Sequence, residues 1–399
     1  MVDVDYTAAP ALRAESNSYP NTFLSQELRL TSSGEEKFKW IAGLYASRRK
    51  NGFSTFAPFI VTVGTARIDP FLDYEAKQTE FAGFLNGTYR LGDFSIGAGG
   101  RLMRTIYEED SRMFQLRPNS GYQKVANTAF LPKLILSYKP EGIGLFYASV
   151  AKGYESGKVS SSSFPALPYA PETNWTYEIG YKSSLTSKLY VELTGFYINS
   201  RNRQTEIIFV PPGSAVFLKA LANAGDARSY GTEATVSWQP VHGLSLDGAL
   251  GLLDAKWTDA TYQGRSLRGR QIPNASRVTA NLSSTYTIGI GNALELQLHG
   301  NATYRGGFPW QLPYIDLTGA EIADNYSEGY WLANARISVG SKDEHWQFAV
   351  RVDNLLDQQF YTEFLTRSNQ SAAGVCPALC HTAAAGTRRR FVATLTTRF

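Results

Sequence analysis

Apolar and polar residues alternate with a period of two along most of the chain. From Leu294 one series reads Leu294, Leu296, Leu298, Gly300, Ala302 and Tyr304, and the other Glu295, Gln297, His299, Asn301, Thr303 and Arg305. The segment before it sets Val278, Ala280, Leu282, Tyr286 and Ile288 against Arg277, Thr279, Asn281, Ser283 and Thr285. A later one sets Trp346, Phe348, Val350 and Val352 against Gln347, Arg351 and Asp353. Side chains alternate across a strand, so each segment predicts a β-strand with one apolar and one polar face. The segments run about 10 to 14 residues, beyond the ~5 to 6 of most soluble strands and enough for the ~9 to 11 that a tilted strand needs to cross a bilayer. No helical period interrupts them, which removes the crossover helices of an α/β fold.

The connections fall into two classes that take turns. Short ones are expected at 32–37, 91–93, 139–142, 183–187, 239–243, 288–292 and 340–344. Long ones are expected at 49–75, 108–125, 154–171, 203–227, 258–273, 306–329 and 358–387. A soluble sandwich gives no reason for that rhythm. A transmembrane antiparallel β-barrel does, with short turns on one side of the membrane and long loops on the other. Seven hairpins and a final strand make about fifteen strands, an odd number, whereas single-chain bacterial barrels have even counts. The first strand, near Phe23–Thr31, and the last then run in the same direction and cannot pair antiparallel. The expectation is an all-β, partial barrel wall.

Composition agrees. The 399 residues include 13% aromatics and 35 Gly, and 39 Lys+Arg against 35 Asp+Glu leave a formal charge of only +4. Aromatic residues suit pleated strands, and so weak a basic excess predicts no nucleic-acid partner. No apolar run reaches the ~18 to 20 residues of a membrane-spanning helix. The first residues, MVDVDYTAAPALRAES, lack the basic start and apolar centre of a signal peptide.

The chemistry-bearing residues point away from an enzyme. His242 and His345 fall at short turns, and His299 stands on a polar strand face with no nucleophile beside it, so a lumen-lining role outweighs a general base. Cys376 and Cys380 share one long loop with His381; a metal site there would need a fourth ligand, and a local disulfide is the better reading. Arg265, Arg268 and Arg270 occupy another long loop, where paired guanidinium donors could hold an anionic ligand or simply meet solvent. Trp310, Tyr314, Tyr326, Tyr330 and Trp331 flank a third; the last two read as a membrane-interface girdle, and the other three stay open between that and stacking on a ligand. The glycines at 97–100 precede no helix and fail as a phosphate cradle. No cofactor or resident metal is expected.

At several places the sequence resembles the TonB-dependent outer-membrane receptors of Gram-negative bacteria. The stretches are SQELRL from Ser25, LFYASVAKGYESG from Leu145, PETNWTYEIGYKS from Pro171, NAGDARSYGTEATVSWQP from Asn223, VDNLLDQQFY from Val352, and the strand ending at Phe399. The resemblance implies a barrel of about 22 strands with a plug in its lumen, importing a scarce small-molecule ligand, often a ferric siderophore. It implies outer-membrane lipid as surroundings and a terminal strand, with Phe391, Leu395 and Phe399, as the signal for the barrel assembly machinery. It implies the TonB complex as partner only if a plug is present. On this reading residues 1–22 are an extended segment and 23–399 the C-terminal part of the receptor barrel, without the plug. The alternatives are a passive outer-membrane pore or non-functional fragment, and a soluble secreted all-β binding domain. Ligand identity is not in the sequence.

The cysteine reading is directly testable. Non-reducing mass spectrometry should find Cys376 linked to Cys380, and two free thiols in protein from an oxidising compartment would remove the bond. With so short a ring, the linkage should stabilise by less than the ~3 kcal/mol of a 15-residue loop.

Overall fold

The computed structural model describes residues 2–5, 13–18, 20–34, 37–56, 61–63, 66–68, 71–113, 121–160, 167–209, 218–315, 321–322, 326–367 and 380–398. Fifteen long strands follow one another: β1 Thr22–Thr31, β2 Phe38–Phe56, β3 Phe71–Leu91, β4 Phe94–Met113, β5 Gly121–Tyr138, β6 Leu145–Glu155, β7 Glu172–Thr186, β8 Leu189–Phe209, β9 Leu218–Trp238, β10 Leu244–Tyr262, β11 Val278–Ile290, β12 Leu294–Arg305, β13 Tyr330–Ser341, β14 Trp346–Asp353 and β15 Arg390–Thr397. Each pairs antiparallel with its neighbour in chain order. With the short strands Val2–Asp5, Arg13–Ser18 and Arg265–Ser266 they form one 18-stranded sheet. The short turns lie where the alternation breaks, as at Leu91↔Phe94, where Gly92 takes φ +58°.

Several strands are longer than the alternation indicates. The expected connection 203–227 is largely ladder, because β8 and β9 stay paired to Phe209↔Leu218 beyond a register shift between Ser200 and Gln204. Likewise β2 and β3 pair up to Phe56↔Phe71, and β4 and β5 up to Ser111↔Gly121. Above the bilayer neither face needs to be apolar, so the side-chain pattern ends while backbone pairing continues.

The packing is inverted relative to a water-soluble protein. Phe81, Leu85, Leu102, Leu193 and Leu282 are each more than half exposed, while Thr105 and Glu109 are 1% exposed on the other face. That inner face carries the ion pairs Arg101–Glu80 at 2.7 Å and Lys182–Glu192 at 2.6 Å, and the Tyr147 hydroxyl donating to Glu178 at 2.7 Å. Leu294, Leu296 and Leu298 share a face with Ser341, Val339 and Ile337, whereas Gln297 and His299 lie opposite Ser338 and Arg336. An outward row of leucines has no stable solvation except lipid.

Aromatic rings mark the two rims of this band. Near the short turns Phe94, Tyr138, Phe146 and Tyr181 follow one another with centroids 4.4, 6.4 and 4.7 Å apart. Toward the long loops Tyr177 and Tyr197 approach to 6.3 Å. One girdle assignment needs correction. Trp331 is outward and packs on Tyr304 at 5.0 Å, but Tyr330 turns to the opposite face and stacks on Phe360 at 5.2 Å. Adjacent strand residues cannot both face lipid.

Among the described residues β1 pairs only with β2, and β15 only with β14, and no ladder joins them. Both run toward the short-turn side, so antiparallel closure between them is excluded. Arg13–Ser18 continues the β1 ladder on β2, and Val2–Asp5 lies antiparallel to it in the opposite sense. Phe391 and Leu395 on β15 are about 70% and 67% exposed on the outward face; Phe399 lies outside the described residues.

The inverted faces predict position-dependent tolerance. Leu250→Arg, outward near mid-height, should destabilise the chain in phospholipid vesicles by about 2 to 4 kcal/mol, and Leu296→Arg, nearer the rim, by less. Gln297→Arg, toward the lumen, should change the urea midpoint little. Equal loss at all three would reject the assignment of faces.

Candidate functional site

The upper half of β10 turns from outward leucines to an inward apolar cluster. Ala255, Trp257, Ala260 and Tyr262 gather there with Ala224 and Ala227 of β9. Ala227 is the direct partner of Trp257, and both are 1% exposed, so a small residue across the ladder makes room for the indole. The connection after β10 folds back onto its own strand. A two-residue turn at Gln263 and Gly264, with φ +48° and +76°, brings Arg265 opposite Tyr262. Leu267 N–H then donates to Ala260 O at 2.8 Å, Gly269 N–H to Trp257 O at 2.9 Å, and Ile272 N–H to Ala255 O at 3.1 Å. Leu267 and Ile272 are buried against the cluster, each gaining about 1.5 to 3 kcal/mol from the apolar surface removed from water. Arg265 and Arg268 are exposed on this backing and Arg270 is half-buried.

The segment after β12 closes over the same cluster, with Leu312 as a member. Phe308 is fully buried, the Arg305 guanidinium lies 3.8 Å over its ring, and Trp310 meets it edge-on at 4.8 Å. Asn274 N–H donates to Pro309 O at 2.8 Å, and the Ser276 hydroxyl to Gly306 O at 2.8 Å. The arginine loop and the Trp310 segment are therefore one packed unit at the mouth. Tyr314 is paired with Ile322 in a short hairpin, and its side chain is outside the described residues. His299 is not part of this unit. It lies partway down the inner wall of β12, with Nδ1 2.9 Å from the Thr285 hydroxyl. Cys376 lies outside the described residues, as does the side chain of Cys380.

A second inward element escaped the sequence reading. In the connection between β6 and β7, residues 156–160 and 167–171 turn into the lumen, where Val159 packs on Ala76 and Tyr107. It is held by three amide side chains from different strands. Asn127 Nδ2 donates to Gly157 O at 3.0 Å, and Gln204 Nε2 to Ser156 O at 3.2 Å and Ala170 O at 3.1 Å. Asn223 Oδ1 accepts from Ala170 N–H at 2.7 Å, while its Nδ2 donates to Ala170 O at 2.9 Å and Asn202 O at 2.7 Å. A side chain at Gly157 would meet Tyr169 O at 2.4 Å, so the strap closes only around glycine. The available signal was positional: Gly157, Ala170 and Asn223 lie in or beside the quoted stretches KGYESG, PETNW and NAGDAR.

Asn223→Ala removes both of its bonds to Ala170 of the strap, and one to Asn202 O of β8, and should weaken the strap by about 1 to 3 kcal/mol. Hydrogen exchange should show faster opening at the amides of residues 156–160 and 167–170 with global unfolding little changed. Unaltered protection there would show that Asn223 is dispensable.

Residues 3–355 match the family described as TonB dependent receptor-like, beta-barrel. Solved structures agree in fold. The ferric yersiniabactin uptake receptor FyuA from Yersinia pestis is similar with a TM-score of 0.72 and 18% identity over 97% of this chain and 55% of that one. The siderophore receptor PiuA from Acinetobacter baumannii gives 0.67 and 15% over 96% and 57%. The copper transporter OprC gives 0.68 and 14% over 96% and 57%. The chain thus spans a little over half the length of these structures. Its strand order, inverted faces and the extent of the match place the chain in the TonB dependent receptor-like β-barrel family.

Proposed function

We propose that this chain forms the C-terminal wall and ligand mouth of an outer-membrane receptor that imports a scarce small molecule, such as a ferric siderophore, with energy delivered through TonB only where a plug is present. The observation that carries this is the packed unit of the β10 and β12 loops, which holds arginines and an aromatic ring at the mouth instead of leaving a clear channel. Arg265, Arg268 and Arg270 would meet an anionic ligand and Trp310 and Tyr314 its rings; His299 would line its path lower down. The edges of β1 and β15, without a ladder between them among the described residues, support a role as part of a larger wall, because an edge strand presents a row of N–H and C=O groups ready to pair with another strand. The barrel assembly machinery would recognise β15 through Phe391, Leu395 and Phe399. Cys376 and Cys380 would pinch the last long loop as a disulfide.

A passive pore is the second reading. It is favoured by the lower lumen wall, where Gln297, Ser338, Gln347 and Thr396 border a polar cavity of about 290 Å³. The two readings separate in one experiment on the chain folded in lipid nanodiscs and planar bilayers. A receptor mouth should bind a ferric catecholate siderophore, read by tryptophan quenching, and the combined Arg265→Ala, Arg268→Ala and Arg270→Ala variant should lose about tenfold or more in affinity. Steady ohmic conductance with no saturable quenching would support the pore and reject the receptor mouth.

The mouth should also keep its shape in acid. Where the last long connection leaves β14, Arg388 donates to both oxygens of Asp357, at 3.0 and 2.6 Å, and Arg389 N–H donates to Oδ1 at 3.0 Å. These contacts hold the Asp357 carboxyl down to about 2 from an ordinary 3.8. A depressed carboxylate stabilises the folded form above its unfolded value and loses that effect as pH falls through the folded one. The Arg389 amide should therefore stay protected from hydrogen exchange at pH 4 and lose protection only as pH approaches about 2. Loss of protection already near pH 4 would contradict the contact.

A further inference from the structure

The register of β6–β10 stacks two rows and part of a third on the outward face. Val150, Tyr177, Tyr197, Tyr230 and Asp254 are successive cross-strand partners. One step toward the long loops the row is Lys152, Trp175, Asn199, Arg228 and Lys256, and the next includes Arg201 opposite Thr173. Direct partners share a face, and the inward neighbours fix which one. Ala227 and Trp257 are 1% exposed on the lumen side, so Arg228 and Lys256 beside them point outward. The Arg228 guanidinium lies 5.7 Å over Tyr230, whose hydroxyl donates to Asp254 at 3.0 Å.

Height places this patch at the upper edge of the lipid. From Trp238 near the short turns to Arg228, β9 climbs about 25 Å at ~3.4 Å per residue and a ~40° tilt, the height of an apolar barrel band. The cations thus begin where hydrocarbon ends, above an aromatic belt. Carboxylates share this face: Asp254 in the row below, and above it Asp226, which accepts from Asn202 N–H at 3.0 Å, with its direct partner Asp259. Lys256 Nζ lies 2.8 Å from Asp254, but Lys152, Arg201 and Arg228 have no carboxylate in ion-pair range among the described residues. These three cations, none in a direct ion pair among the described residues, stand on four adjacent strands and face the membrane boundary rather than the lumen, away from the ligand path.

We propose that this outward patch binds the phosphorylated headgroup of a lipid in the leaflet nearest the long loops. Lys152, Arg201 and Arg228 hold phosphate oxygens, with Arg supplying paired N–H donors. Trp175, Tyr177, Tyr197 and Tyr230 pack at the boundary between headgroup and acyl chains. The proposal rests on the membrane placement of the sheet and not on which ligand enters the mouth.

Native mass spectrometry of the full chain in neutral detergent, titrated with purified bis-phosphorylated glycolipid, tests it. The parent should retain this lipid in preference to phosphatidylcholine, and inorganic phosphate should neither remain bound nor displace it. Each cation near an anionic lipid surface should contribute about fivefold, so Lys152→Ala, Arg201→Ala and Arg228→Ala together should cost at least about tenfold in retention. The charge-keeping set Lys152→Arg, Arg201→Lys and Arg228→Lys should retain most of it. Lys342→Ala with Arg398→Ala, at the opposite rim, should change nothing. If the triple alanine chain does not fold, Arg201→Ala and Arg228→Ala singly decide, each by a severalfold loss. Undiminished retention in these variants, equal loss in the opposite-rim control, or displacement by inorganic phosphate would overturn the lipid site while leaving the mouth untouched.

Discussion

Hydrocarbon offers a peptide group nothing to bond to, and the rest of the structure follows from that. Each unpaired N–H or C=O in the bilayer costs several kcal/mol, so a strand can cross only with a partner on both sides. Pairing in chain order is the arrangement short turns permit, and it accounts for the unbroken series from β1 to β15. The same constraint inverts the side chains. Leucines such as Leu102 and Leu193 point out, while Glu109, Thr105 and Ser338 are shut inside. It also gives the edges at β1 and β15 their meaning: two strands running the same way cannot satisfy each other antiparallel.

Inside the wall the problem reverses, because a polar, curved surface gives an entering loop little to pack against. The upper wall answers with small residues and a few large ones. Ala224, Ala227, Ala255 and Ala260 clear space into which Trp257 and Tyr262 project, and Leu267, Ile272 and Leu312 from two loops complete the cluster. Gly225 contributes at φ +137°, where an added Cβ would lie 2.2 Å from Asp259 O. The β6–β7 strap uses amide side chains instead, since backbone groups brought indoors need partners. A mouth built this way has defined walls that a ligand could read, unlike a mobile fringe of loops.

The outer surface carries information of its own. Its apolar band is bounded by aromatic rows, and above the upper row on β6–β9 stand cations with no direct ion-pair partner among the described residues. A barrel wall is thus two surfaces with separate chemistry, one facing the lumen and one facing lipid. Because side chains alternate, neighbouring residues such as Trp257 and Lys256 serve different sides.

Much of this was already settled by the sequence. Period-two alternation and the rhythm of short and long connections specified fifteen spanning strands, their order and which face of β12 meets lipid, because burial in lipid selects side chains strand by strand. The loop arginines and Trp310 were visible as candidates for the same reason that any exposed charge or ring in a long connection is. Tertiary structure alone decided that Arg265, Arg268 and Trp310 stand on one packed unit while His299 lies apart, and that Tyr330 and Trp331 part company. It alone revealed Asn127, Gln204 and Asn223 converging on one strap, and ladders such as β8–β9 continuing above the bilayer. Those features depend on hydrogen bonds and contacts between residues far apart in the chain, whose partners no local pattern of polarity identifies.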